Sequence, residues 1–215
     1  MPRVSVITLC HNDEQYLPEC IDSVQAQTYR DFEHIIVDVA SVSPVRSRTY
    51  RLAVDPGIAS SRNHGVAASS GEFIMQLDAD DRLHPEAMEK MVALAGAGII
   101  VCPGLKEFGG SRGITGAPDE AVLTLPTFLD HNPIYCCSMY SRKDFKAVGG
   151  YDPFLDFVGC EDYEFWTALV KMGCCVKVVP EFLFYYRVHF GSLTERSAND
   201  TACKYIRKKH GPSTF

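Results

Sequence analysis

Three carboxylates fall within four positions of one short stretch, Asp78, Asp80 and Asp81 of "GEFIMQLDADDRLHP", directly after the apolar run Phe73 to Leu77. Like charges this close raise one another's cost of ionising. Such a stretch is either a solvated turn, where Asp is common, or a place that holds a cation. Asp78 and Asp80 are two apart, and alternate side chains of a segment leaving a strand point the same way, so both carboxylates can face one ligand. A hard divalent ion such as Mg²⁺ or Mn²⁺ takes oxygen ligands, typically one or two carboxylates together with phosphate oxygens. D-x-D alone occurs by chance in many loops; the strand before it and the helix-opening "HPEAM" after it strengthen the metal reading.

The elements that must hold this turn are legible as an alternation. "VSVITL" (4–9) is a β-rich apolar run typical of a strand buried on both faces. Leu17, Ile21 and Val24 then recur at helical spacing, and Asn12 with Gln15 resembles a capping box. Strands are predicted at 34–39, 50–54, 73–77 and 99–102, and helices at 58–69 and from Pro85 to about Gly96. Strand–helix alternation of this kind favours a parallel, helix-covered sheet, and ligands of such sheets bind at the carboxyl ends of strands. Asp38 and the 78–81 cluster both lie at strand carboxyl ends, so they are expected to meet at one crevice. Beyond 102 the pattern loosens. Residues 103–126 read as a loop or edge hairpin, 135–141 as strand-like, and 161–173 as an amphipathic helix with Phe165, Leu169 and Met172 on one face and Gly173 as its stop. "CVKVVP" and "FLFYYRV" read as the last two strands.

The 215 residues bound the answer to one domain with a substantial core. A formal charge of −6 argues against a general nucleic-acid binder, although "KYIRKKHG" makes the C-terminus locally basic. That tail is expected to be solvated, with an anionic membrane surface or further domains of a longer chain as alternatives. No apolar run approaches a membrane span, and the N-terminus does not read as a secretion signal. Nine cysteines without a C-x-x-C pair fit neither a zinc site nor a disulfide framework; buried free thiols in a reducing, cytoplasmic compartment are the simplest reading.

Taken in order, "VSVITLCHNDEQYLPECIDSVQAQTYRDFEHIIVD", "SSRNHGVAASSGEFIMQLDADD", "VGGYDP", "EDYEFW" and "YRVHFGSLT" resemble the family 2 glycosyltransferases, from Pro2 to about Thr194. The resemblance implies the GT-A fold, a Rossmann-like three-layer α/β/α sandwich with a mostly parallel mixed central sheet. It divides the single domain into a nucleotide-sugar-binding half (1–102), an acceptor-binding half (103–195) and a tail (196–215). It also implies a nucleotide-sugar donor, UDP-linked by expectation, a divalent metal (Mn²⁺ or Mg²⁺), inversion at the anomeric carbon, and a saccharide or glycoconjugate acceptor. Residue by residue, Asp80 maps to the metal ligand of D-x-D, with His189 completing the metal site. Asp78 is expected near the donor's ribose or sugar, with Asp81 as a partner behind the ligands, and Arg62 near the nucleotide. Asp162, second in "ED", matches the general base. Arg187 is placed either at the diphosphate or simply along the last strand.

These roles make chemical sense by themselves. Displacing a diphosphate builds negative charge that a metal and an arginine can stabilise, and the attacking hydroxyl must give its proton to a base. A helix N-terminus favours the ionised form of Asp162, so the tuning of a useful base must come from its pocket. One departure stands out. In "VDVASVS" Val39 occupies the position of a second acidic residue associated with the nucleobase, which leaves Asp38, or backbone groups around Ala40 and Ser41, to compensate. No Q-x-x-R-W segment is present, which favours single addition over processive synthesis. Tyr135 and Tyr163 are offered as acceptor-sugar platforms, Trp166 as core, and Glu161 as an orienter of Asp162, an acceptor for a sugar hydroxyl, or a solvated residue. The competing readings are a non-catalytic nucleotide-sugar-binding module, a nucleotidyltransferase, for which "TLCHNDEQ" offers no Gly-rich phosphate loop, and a metal-free two-carboxylate hydrolase.

Overall fold

The computed structural model describes residues 2–43, 49–111, 113–189 and 200–212; Phe190–Thr194 of the "YRVHFGSLT" segment lie outside the described residues. In chain order the strands are β1 (Val4–Cys10), β2 (Phe32–Val39), β3 (Thr49–Leu52), β4 (Phe73–Gln76), β5 (Arg82–Leu83), β6 (Ile99–Phe108), β7 (Met139–Ser141) and β8 (Cys175–Arg187). The helices are α1 (Leu17–Gln25), α2 (Ile58–Ala68), α3 (Ala87–Val92), α4 (Leu125–Asp130), α5 (Arg142–Val148), α6 (Glu161–Met172) and α7 (Asp200–His210). All eight strands form one sheet in the order β3-β2-β1-β4-β7-β6-β8-β5.

The alternation in the first half becomes a parallel block. β1 pairs with β2 from Val4–Phe32 to Cys10–Asp38 and with β4 from Val4–Phe73 to Ile7–Gln76, while β3 pairs parallel outside β2. β7 then enters antiparallel between β4 and β6, so β6 does not simply extend the parallel block. β6 and β8 are parallel, and the short β5 closes the sheet antiparallel on β8.

The two faces of the sheet follow from the period of two along each strand. Val4, Val6, Met75 and Leu77 point to one side, where α1 and α3 contribute Cys20, Val24, Met88 and Met91. Ile7, Val37 and Ile74 point to the other, against Ala59 and Val66 of α2, Phe128 of α4 and Phe165, Trp166 and Leu169 of α6. Both faces are covered, which is why β1 and β4 read as near-continuous apolar runs. The small residues of α2 let it approach closely: a Cβ on Gly65 would lie 2.4 Å from Ile7 Cγ2.

Several expectations are corrected. β6 continues to Phe108, with irregular register around Pro103 and Gly104, and Leu105 bridges Gly116; only the segment after it is loop with short helices. The last two predicted strands are one strand whose interruption near Pro180 is a bulge against Gly104. The capping box at Asn12 is not formed. Asn12 has φ +60°, its side chain accepts from the Val42 N–H, and α1 begins after Tyr16. Met172 is exposed rather than on the buried face. The C-terminal segment is not merely solvated, since α7 buries Ala202, Ile206 and His210 and packs on α4 and α6. All nine cysteines are free thiols; five are buried and Cys175 is exposed. Among the described residues, no helix is long and apolar enough to cross a membrane.

Candidate active site

The carboxyl ends of β1, β2 and β4 lie side by side because the three strands run parallel in register. The turn after β4 is tight, with the Asp81 N–H donating to the Asp78 carbonyl at 3.1 Å, and it sends its three carboxylates in different directions.

Asp80 meets His189, whose Nε2 lies 2.9 Å from Asp80 Oδ2. The two residues are 109 apart in sequence and are joined only because β8 runs alongside this corner. Burial, followed by the charge of Asp78, pushes the Asp80 carboxyl above its usual range, and the His189 contact opposes that. Two ligand atoms about 2.1 Å from one ion at right angles lie about 3.0 Å apart, so this oxygen and nitrogen fit a shared divalent ion.

Asp81 turns inward. Its Oδ1 accepts from the Arg187 N–H at 2.7 Å, and burial, with Asp80 and Asp78 adding to it, holds its carboxyl well above the carboxylate range. The Arg187 guanidinium donates to the Asp80 carbonyl at 2.7 Å, pairs with Glu19, and stacks over Tyr16 and Phe108. It therefore braces the turn from behind, a third arrangement beside the two expected for it.

Asp78 points toward Arg62, whose Nη2 donates to Asp78 Oδ1 at 3.1 Å while Nε donates to Glu161 Oε1 at 2.9 Å. Arg62 is 2 % exposed, so it is neither a surface ion pair nor an open anion site. It is a buried cation fastening α2 and the β4 turn to the start of α6. The helix that carries it is itself held from the far half of the chain. Asp156 accepts from the Ser60 N–H and hydroxyl, both at 2.6 Å, and Gly57, at φ +96°, passes so close to Asp156 that a Cβ there would overlap it.

Glu161 is committed to Arg62, and the next residue is Asp162. The Asp162 carboxyl is pushed up to about 7, first by burial and then by the charge of Glu161, against the opposing Arg62 and the Tyr163 N–H. The expectation that the pocket must retune this residue is met by named groups. The Asn132 side chain donates to Asp162 Oδ2 at 3.2 Å.

Asp38, at the carboxyl end of β2, is engaged within the protein. Its carboxylate is buried, accepts from the Ser41 N–H at 3.1 Å and pairs with Arg51 Nη1 at 2.7 Å. The neighbouring backbone is occupied as well. The Ala40 N–H donates to the Leu52 carbonyl, the Val39 carbonyl accepts from His11 Nδ1 at 2.6 Å, and the Ser41 carbonyl accepts from Arg51. Val39 is core. Tyr163 is also buried, which removes it as a sugar platform, and the Tyr135 hydroxyl donates to the Gly116 carbonyl. Trp166 is fully buried, as expected.

Sequence reasoning passed over Asp13, Arg51, Asn132 and Cys136. Asp13, half-buried, is raised above the usual carboxylate range by burial and by Asp80, which puts it in the same crevice. Its position just after β1 was a usable signal, because residues leaving parallel strands face the binding edge. For the other three no local pattern exists.

The family model described as "Glycosyl transferase family 2" matches residues 5–149. An uncharacterised glycosyltransferase of Haemophilus influenzae is 30% identical, the match covering 96% of this chain and 73% of the relative. The putative glycosyltransferase EpsH of Bacillus subtilis is 33% identical over 91% of this chain and 63% of its own length. Among solved structures, S. aureus TarS 1-349 in complex with UDP-GlcNAc superposes with a TM-score of 0.76 at 17% identity, covering 98% of this chain and 68% of that one. The mannosyltransferase PcManGT of Pyrobaculum calidifontis, in complex with GDP-Man and Mn²⁺, gives 0.68 at 18% identity, covering 97% of this chain and 61% of that one. At those identities the superpositions establish the shared fold, a mixed α/β architecture matching GT-A glycosyltransferases.

Proposed function

The chain belongs to glycosyl transferase family 2, and on that premise we propose that it moves a single sugar from a nucleoside-diphosphate sugar, UDP-linked by preference, to a hydroxyl of a saccharide or glycoconjugate, with inversion. The observation that carries this reading is the span made by Arg62, one buried guanidinium within 3.1 Å of the acidic turn and 2.9 Å of the residue preceding Asp162. It ties a corner suited to a metal and diphosphate to a carboxyl poised near neutral pH.

In this reading Asp162 takes the proton of the acceptor hydroxyl as that oxygen bonds to the anomeric carbon, and the bond from that carbon to the donor's diphosphate breaks with its electron pair. A base with a pKa near the working pH balances availability against strength. Asp80 and His189 would hold Mn²⁺ or Mg²⁺, which when bound supplies positive charge against that developing on the diphosphate. Asp78 sits at the ribose or sugar edge, Arg62 fixes its orientation, and Arg187 keeps the turn rigid. Asp38 reaches the nucleotide through Arg51, the half-exposed cation it orients. The complexes of TarS with UDP-GlcNAc and of PcManGT with GDP-Man and Mn²⁺ lend support to a nucleotide-sugar donor and a divalent ion.

The test is transfer assayed with UDP-, dTDP- and GDP-sugars, with Mn²⁺ and with EDTA. Asp162→Asn is expected to lose about 10²- to 10⁴-fold in turnover while keeping donor affinity by calorimetry. An unchanged rate would remove Asp162 as the base. Donor binding without turnover across a broad acceptor screen would make the chain a non-catalytic binding module.

A further inference from the structure

The acidic corner contains a sulfur that the transfer reaction does not use. Cys136 lies just before β7, and its thiol donates to Asp78 Oδ2 across 3.6 Å. Asp78 has one oxygen engaged by Arg62, Oδ1, and a different one facing the sulfur. Asp81 repeats the pattern. Its Oδ1 accepts from the Arg187 N–H, while Oδ2 is buried and has no hydrogen-bond partner among the described residues. Asp81 as a whole is 2 % exposed. A buried carboxyl oxygen without a partner is costly and calls for an explanation, of which a bound ion is one.

One oxygen from each aspartate and the Cys136 sulfur lie within 4.8 Å of one another. An oxygen at about 2.0 Å and a sulfur at about 2.3 Å from one tetrahedral ion are about 3.5 Å apart, close to the 3.6 Å between Asp78 Oδ2 and Cys136 Sγ. We propose that Asp78, Asp81 and Cys136 form a second cation site, separate from the Asp80–His189 pair, that takes a thiophilic divalent ion such as Zn²⁺, Co²⁺ or Cd²⁺. Sulfur selects such ions over Mg²⁺ or Mn²⁺, which favour all-oxygen surroundings. Filling the site releases to solvent the Cys136 thiol proton and any proton carried by the Asp81 carboxyl, involves no change of oxidation state, and leaves the Arg62–Asp78 and Arg187–Asp81 contacts in place. Because the ion engages Asp78, occupancy is expected to inhibit sugar transfer by thiophilic metals at concentrations where Mn²⁺ alone does not.

The site is independent of the transfer reading and is tested without any donor. The full chain, stripped with EDTA, is titrated with Co²⁺ and followed by the near-ultraviolet thiolate-to-cobalt charge-transfer band. The wild type is expected to develop the band, Cys136→Ser to lack it, and Asp81→Asn to bind Co²⁺ about tenfold or more weakly. Cys175→Ser, which removes the exposed thiol, and Asp80→Asn are expected to keep the band. No band in the wild type, a band persisting in Cys136→Ser, unchanged affinity in Asp81→Asn, or loss of the band in Asp80→Asn would each overturn the assignment. Should Cys136→Ser fail to fold, alkylation of the wild-type chain read by mass spectrometry decides. Zn²⁺ must slow labelling of Cys136 and leave Cys175 unaffected, and equal labelling overturns the site. A band in a chain without transferase activity would leave this site standing and remove only the proposed function.

Discussion

At the scale of single residues, Asp162 is controlled by what surrounds it more than by its place at the start of a helix. Burial raises its carboxyl, Glu161 raises it further, and Arg62 pulls the other way, with the balance at about 7. As a base it must be ionised, so kcat/KM in the transfer assay is expected to rise with pH through about 7 and level off above. Glu161→Gln removes the neighbouring negative charge and also releases Arg62 from its partner; both changes favour the ionised form. The midpoint of the pH profile should therefore move down. A midpoint that stays fixed or rises would show that Glu161 does not act on Asp162. Arg62 itself came out of the sequence as a nucleotide contact and turns out to be a buried brace. Removing one partner of such a pair leaves an uncompensated buried charge, a cost of about 3–5 kcal/mol.

At the scale of elements, the helix carrying the proposed base is held by the chain's last described helix. α7 buries Ile206 completely, and Glu164 of α6 accepts from Lys209 at 2.7 Å and lies 2.6 Å from His210 Nε2. The basic sequence "KYIRKKHG" suggested solvation because its charges dominate the composition; its apolar stripe of Ala202 and Ile206 needed the groove of α4 and α6 to become visible. Ile206→Ala is expected to cost about 2–5 kcal/mol, read as a lower urea midpoint at unchanged slope. No change in midpoint would mean that α7 does not stabilise the fold. The missing capping box at Asn12 has a similar origin: its side chain is drawn to the Val42 N–H, a partner thirty residues away that no local motif encodes.

At the scale of the whole molecule, the site is assembled at the expense of stability. Asp13, Asp80, Asp81 and Asp162 all have carboxyls raised above their usual range in the folded chain. For a carboxyl with a folded pKa above its unfolded one, the folded state holds more protons between the two values. Stability therefore falls as pH rises through that window. For Asp162 the window runs from the ordinary aspartate value of 3.8 to about 7. Asp162→Asn should accordingly raise Tm at pH 8, the gain shrinking toward zero near pH 4, while slowing transfer as stated above. A variant less stable than wild type at pH 8 would contradict the placement of this carboxyl in an unfavourable environment.

The chain's own order of residues determined the parallel block β1–β4, its helices, and the edge at which Asp78, Asp80 and Asp81 emerge, because those features rest on periodicity and spacing within a few residues. Asp162 and His189 were expected from it only by family resemblance. What only the tertiary structure decided were the partnerships across the sheet. Arg62 meets Glu161 across 99 residues, and Asp81 meets the Arg187 backbone across 106. Such contacts depend on β7 entering antiparallel beside β4 and on β8 running next to β6, an arrangement set by the competition of many strands for neighbours. No short stretch of sequence carries that information, so the identity of the groups tuning each carboxylate, and the sulfur beside them, emerges only once the sheet has closed.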